Sequence, residues 1–238
     1  MSQLRFLTAE WRKLAMANYL VDAKVLTNLV PKKTGLDLWK GRCYVSLVGF
    51  MFLNVKLKGI KIPFHTSFEE VNLRFYVRYK EKEDWKRGVV FIKEIVPKPA
   101  LTWVANTIYG EKYETMPMKH VWNMLNNQWK VEYSWEKERT HSLNVFAKSV
   151  AVEMNPGSEE EFITEHFWGY TKLNDNVTSE YQVEHPRWKV YPVTDFNVDV
   201  DFGLIYGNEF AFLNKEKPVS VFLAEGSEII VRSGVKIS

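Results

Sequence analysis

The sequence predicts a mainly β fold of the α+β class, a large antiparallel sheet or barrel carrying a few short helices. Three observations lead there. Val71, Leu73, Phe75, Val77 and Tyr79 alternate with Asn72, Arg74, Tyr76 and Arg78, a clean period of two. Residues 43–55 are almost continuously apolar, as in a central strand buried on both faces. Turn signals then recur through the last third, at 185–186, Pro192, 207–208 and Gly226, at the spacing of short strands. A hydrophobic content of 46% supplies ample core. No repeat, linker or composition break divides the chain, so residues 1–238 are expected to form one domain.

Taken in order, residues 9–21 suit either a helix, by propensity, or a strand buried on both faces. Asp22 is placed to cap a two-turn helix that Pro31 stops. Turns at 32–35 and 40–41 flank a short strand at 36–39, and the long strand 43–55 follows. After a connection through Pro63 come the alternating strand 71–79, a charged hairpin loop at 80–88 and a partner strand at 88–95. Residues 103–109 read as a short helix or as irregular chain. Strands at 131–135 and 143–152 form a further pair. Ser158 and Glu161 have capping-box spacing, which predicts a helix over 159–170. Strands are expected at 179–183, 189–193, 195–200, 219–224 and 228–231.

Composition excludes several classes of function. Thirty-two basic and 29 acidic residues leave +3, spread along the chain, which argues against nucleic-acid and membrane partners. Cys43 is the only cysteine, so there is no internal disulfide and no multi-thiolate metal site. The first thirty residues are interrupted by Glu10, Arg12, Lys13 and Asp22 and show no signal-peptide pattern; the longest apolar run, 44–55, is too short to span a bilayer. A cytoplasmic location is expected. The five histidines lack metal-ligand spacing, and the glycine-rich nucleotide motifs and the G-x-S-x-G elbow are absent. No metal and no cofactor are expected.

What chemistry remains lies between Phe68 and His120. Asn72, Arg74 and Tyr76 share one strand face. Turned into a barrel, that face makes a cationic pocket for a carboxylate-bearing small molecule; turned to water, it is only a solvated face. Lys98, between Pro97 and Pro99, sits on stiff backbone and is either a fixed amine beside a pocket or an exposed lysine at a strand end.

Six segments carry a resemblance: WRKLAMANYLVDAKVLTNLVP, LDLWKGRCYVSLVGFMF, PFHTSFEEVNLRFYVR, GVVFIKEIVPKPALTWVA, VEHPRWKVYPV and PVSVFLAEGSE. In order and over nearly the whole chain they resemble the YqjF-like bacterial family, which has no settled activity. That family in turn distantly resembles acetoacetate decarboxylase, which implies a cone-like β barrel and lysine Schiff-base chemistry on a small carbonyl or keto-acid compound. On that resemblance Arg12 falls at the decarboxylase arginine, to orient a carboxylate or tune the lysine. Phe68-Glu69-Glu70 resembles its Tyr-x-Glu segment and puts Glu70 at the active-site acid. Lys93-Glu94-Ile95 resembles Arg-Glu-Leu, and Pro97-Lys98 then falls at Pro-Lys, with Lys98 as the nucleophile. An alternative register through Met116-Pro117-Met118-Lys119 puts Met118 at the reactive position and Lys119 beside it.

Two positions depart from the pattern: Pro99 stands where a second lysine is expected, and Ser46 where a strand glutamate is. A lysine nucleophile must lose its proton near neutral pH, which takes roughly 5–6 kcal/mol of destabilisation of the ammonium from an ordinary pKa of about 10.4. A neighbouring cation supplies part of that in acetoacetate decarboxylase, and Pro99 removes it here. Two main uses follow: an enzyme with Lys98, Glu70 and Arg12 in the decarboxylase roles, or a non-catalytic module binding a small ligand through Arg74, Asn72 and Tyr76. Hydrophobic sheet faces also favour some self-association as a homo-oligomer.

Overall fold

The computed structural model describes residues 4–238, save the side chains of residues 108 and 109. β1 (Arg5–Leu20) settles the open choice at 9–21 as strand, because Leu14–Tyr19 are buried on both faces. Asp22 accepts from the Lys24 amide and caps α1 (Ala23–Leu26), which a 3-10 turn extends towards Pro31. β2 (Thr34–Leu36) begins two residues before the expected strand.

β3 (Tyr44–Leu57), β4 (Phe68–Glu81) and β5 (Asp84–Val96) form a central antiparallel meander. The segment expected as a charged loop is mostly strand. Lys80 pairs with Trp85 and Glu81 with Asp84, leaving Lys82, at φ 56°, and Glu83 to make the turn. Charge marks an exposed strand end here, since the ladder needs only backbone groups.

Pro99 opens α2 (Pro99–Val104), which runs into a π-helical turn, Ala105–Tyr109. β6 (Tyr113–Thr115) follows, then β7 (Met118–Leu125), β8 (Gln128–Lys137), β9 (Arg139–Lys148) and β10 (Val152–Glu153). α3 (Glu159–Thr164) starts as the capping spacing predicts, with Ser158 Oγ accepting from the Glu161 amide at 3.2 Å. It is half the expected length. The aromatic-rich WGYTK becomes β11 (Trp168–Lys172), because pairing with its neighbours outweighs local helix propensity. β12 (Thr178–Glu184), β13 (Lys189–Tyr191) and β14 (Val193–Asp199) precede α4 (Phe202–Tyr206) and a 3-10 stretch, both unforeseen. β15 (Ser220–Arg232) fuses two expected strands, and β16 (Val235–Ile237) is last.

The strands make two sheets. The larger runs β10-β13-β15-β1-β3-β4-β5-β11-β12-β16, with β2 on β4 and β6 on β5. It is mixed rather than purely antiparallel, since β5 pairs in parallel with β6 and β11. β12 also meets β15, Val183 opposite Val231, so the sheet curls round towards its own far side. The second sheet, β14-β9-β8-β7, packs on the outer face. There Val71, Leu73, Phe75 and Val77 meet Val131, Tyr133 and Trp135 in one apolar cluster. A second cluster, including Leu14, Met16, Phe50, Phe52 and Phe68, lines the inner face. No helix among the described residues is long and apolar enough to cross a membrane.

Candidate functional site

The alternation of β4 decides what the inside of the curled sheet contains. Its odd-numbered residues go to the inter-sheet core. Glu70, Asn72 and Arg74 therefore face inward, and all three line a cavity of about 470 Å³. Most of the remaining wall is apolar, with Trp11, Phe50, Phe52, Phe68 and Phe91 prominent. Ile62, on the β3–β4 connection, and Ala100, on α2, line it while remaining exposed, and mark its open end.

Two groups of polar side chains interrupt this wall. Glu70 accepts from Asn72 Nδ2 at 2.9 Å and from the Tyr113 hydroxyl at 3.3 Å. Burial pushes its carboxyl up to about 7, against the pull of those hydrogen bonds and of Arg74. Glu111, which accepts from Thr171 Oγ1 at 2.7 Å, is raised to about 7 for the same reason. Glu94 is driven well above the ordinary carboxylate range by burial and by the Glu70 charge, and its Oε2 is buried without a partner among the described residues. The second group holds cations and imidazoles. Arg74 is 7% exposed; among the described residues its only hydrogen bond is a long one of 4.0 Å to Met16 Sδ, and its Nε is unpaired. His166 Nε2 lies 3.2 Å from Asp37 Oδ2, which also accepts from Arg87 Nε at 2.7 Å.

The other expected residues lie elsewhere. Tyr76 shares the inward face but is not among the lining residues; its hydroxyl donates to Ser46 Oγ at 2.6 Å, and Ser46 Oγ to Asn18 at 2.6 Å. Ser46, where the decarboxylase pattern has a glutamate, is thus a link in a buried polar chain. Lys98 is half-buried at the head of α2, near enough to Glu69 to help lower its carboxyl, though the larger influences there are burial and His120. Arg12 is bonded to Glu10 at 2.6 Å and lines an open surface cleft with Glu184 and His185. Lys119 is exposed on β7 in the second sheet. No lysine is among the residues that line the cavity. Burial pushes the Cys43 thiol up to about 11, which makes it a poor nucleophile. No metal-binding group of three or more His, Cys, Asp or Glu residues occurs among the described residues.

Sequence reasoning missed Glu94, Glu111, His166 and Asp37 as wall or supporting residues. Glu94 sits between Lys93 and Ile95 after the apolar run 89–92, a pattern that admits a buried acid only if the strand changes face. It does so: Leu73 pairs with Lys93 but Arg74 with Phe91, so one residue is extra on β5.

A family model described as an uncharacterized conserved protein, DUF2071, matches residues 8–228. The chain belongs to this family. Its sequence is 26% identical over 179 residues to the uncharacterized protein YqjF of Bacillus subtilis strain 168, covering 75% of this chain and 72% of that one. Among solved structures, the fold is similar to the enduracididine biosynthesis enzyme MppR complexed with pyruvate, with TM-score 0.65 and 10% identity over 100% of this chain and 92% of that one. It is also similar to acetoacetate decarboxylase from Legionella pneumophila, with TM-score 0.61 and 12% identity over 100% and 88%. An acetoacetate decarboxylase-like enzyme from Sphingomonas wittichii RW1 gives 0.66 and 9% over 99% and 94%. At these identities the likeness establishes the acetoacetate decarboxylase-like fold.

Proposed function

We propose that this DUF2071 chain binds a small, largely apolar carboxylate in the cavity, with Arg74 as its anchor. One observation carries the reading: a buried guanidinium lines an aromatic cavity with no carboxylate within ion-pair distance among the described residues. A buried charge without a partner is strongly unfavourable. A ligand carboxylate offers Arg74 two parallel charge-assisted hydrogen bonds. Asn72 Oδ1 and Glu94 Oε2 are also buried and unpaired, so the wall holds further polar groups for a ligand. The raised carboxyls of Glu70, Glu94 and Glu111 keep the site from repelling an anion below about pH 7. The fold's occurrence in a protein complexed with pyruvate supports a small oxo acid as one candidate. Both sheets share one core, and we take residues 1–238 to work as a single domain.

The test is a thermal-shift and calorimetric series of aryl and alkyl carboxylates against their amides. Carboxylates should stabilise the protein, and Arg74→Met should weaken their binding about a hundredfold or more, the usual consequence of losing one side of a buried charge pair. Equal binding of acid and amide would sink the proposal.

Lys98 as a Schiff-base nucleophile, with Glu70 and Arg12 assisting, keeps one specific support. It heads the helix whose Ala100, Leu101 and Val104 wall the cavity. Incubation with an oxo acid and borohydride, followed by intact mass, separates the readings: an adduct that disappears in Lys98→Ala supports covalent chemistry, and binding without an adduct favours the non-covalent anchor.

A further inference from the structure

We propose that His166 is the proton acceptor of an enolisation carried out in this cavity on a 2-oxo acid, with Asp37 as its positioning residue. The proposal rests on the reading of Arg74 as carboxylate anchor and goes beyond it to a reaction. His166 is among the residues around the cavity, with its side chain 1% exposed. Two groups reach His166 Nε2: Asp37 Oδ2, which only accepts, at 3.2 Å, and Arg87 Nη2, which only donates, at 3.4 Å; the shorter contact to the carboxylate favours the ring hydrogen on Nε2. The lone pair is then on Nδ1. That atom is buried and has no partner among the described residues. The ring is also fixed in place. Tyr76 lies against it at 4.6 Å between centroids, Phe162 meets it edge-on at 5.2 Å, and the Asp37 amide donates to the Tyr76 carbonyl at 2.9 Å.

The remaining groups complete a constellation for breaking a C–H bond beside a carbonyl. Arg74 holds the substrate carboxylate. Nδ1 takes a proton from the carbon next to the keto group, the C–H electron pair becomes the carbon–carbon double bond of the enol, and the keto oxygen takes the proton of the Glu70 carboxyl. His166 gains one proton and Glu70 loses one, so the substrate is isomerised without oxidant or co-reactant, and solvent restores both groups.

Burial, with the nearby Arg87 and Arg74 charges, holds the imidazole down at about 4, neutral in the resting protein. A substrate anion on Arg74 cancels part of that positive field. The base therefore strengthens when substrate arrives, towards the range in which proton transfer is efficient.

Phenylpyruvate, an apolar 2-oxo acid with exchangeable methylene hydrogens, is a suitable probe. Exchange of those hydrogens in D₂O is followed by NMR, and binding by thermal shift on the same samples. Wild type should bind and exchange well above the buffer rate. His166→Gln should lower the enzymic rate about a hundredfold or more while still binding. Asp37→Asn, whose amide can donate to Nε2 and move the ring hydrogen to Nδ1, should lower the rate and shift its pH profile.

Binding at the buffer exchange rate, or an unchanged rate in His166→Gln, overturns the proposal and leaves the anchor reading standing. Absence of binding removes both. Should His166→Gln not fold, the wild-type profile decides: exchange must rise as the imidazole deprotonates and fall as Glu70 ionises above about 7. A flat profile overturns it.

Discussion

Arg74 and Glu70 sit four residues apart on one strand face, and their surroundings set opposite demands. Arg74 has no carboxylate partner among the described residues, which makes the empty protein less stable than its packing alone would allow. Arg74→Met, an apolar side chain of similar length beside Met16, is expected to raise the stability of the unliganded protein by about 1–2 kcal/mol in urea unfolding while weakening carboxylate binding as above. A fall in stability would mean that Arg74 is already satisfied.

Glu70 behaves differently. Its folded carboxyl, held up at about 7, prefers its proton, so its contribution is complete below the unfolded value of about 4.5 and is lost as pH rises to about 7. His166, lowered to about 4, acts in the other direction over much of that window, adding stability above its unfolded value of about 6.5 that is lost on acidification. The bulk stability–pH curve thus mixes the two. The difference between wild type and Glu70→Gln isolates one group. That difference should favour wild type progressively less from pH 4.5 to 7, as measured by melting temperature at half-unit steps.

At the scale of elements, two bulges determine which side chains reach the cavity. In β1 the inward residues are Leu7 and Trp11 before the irregularity and Leu14 after it, so the strand changes parity. Lys13 absorbs the change at φ 52°, and Gly226 at φ 79° faces it on β15. A Cβ at 226 would lie 1.9 Å from the Trp11 carbonyl oxygen, so backbone must move. Gly226→Ala should therefore destabilise by about 3 kcal/mol or more and release Trp11 from the wall, read by unfolding and by tryptophan fluorescence.

The same geometry explains what was legible in the sequence. β4 runs unbroken through residues 70–77, so its alternation separates the core face from the face of Asn72 and Arg74, while the period alone left open whether that second face meets a cavity or water. β1 and β5 each slip by a residue. Period-two reading cannot place Glu94 inside, or assign Arg12 to the cleft it lines with His185, because a bulge leaves no compositional mark when the residue involved is Ile92 or Lys13 rather than a glycine. His166 was hidden for a related reason. The helical pattern of 159–170 continues through it, and only pairing of the following strand with β12 breaks the helix and leaves the imidazole beside Asp37, 129 positions away in sequence.

At the scale of the molecule, the apolar periodicity foretold a large β structure but not its division into two sheets, since odd positions of β4 read the same whether they face solvent-excluded helices or another sheet. Besides the shared apolar cluster, one close approach ties the second sheet to the first. Gly49 on β3 leaves room for the Tyr133 ring: a Cβ there would stand 2.7 Å from Tyr133 Cδ2. The Tyr133 hydroxyl, accepting from Trp122 Nε1 at 3.0 Å, donates to the Lys13 carbonyl at 2.8 Å. The ring thereby ties the outer sheet to the bulge that orients the cavity wall. Gly49→Ala should push the sheets apart and cost about 1–3 kcal/mol, the range for overpacking a closed core. Tyr133→Leu should cost a comparable amount through the lost hydroxyl and ring contacts. Because both act on one contact, the double variant should be less destabilised than the sum of the two, by at least about 0.5 kcal/mol in a double-mutant cycle from urea unfolding. Additive effects would show that Gly49 serves β3 alone and that the sheets are held together elsewhere.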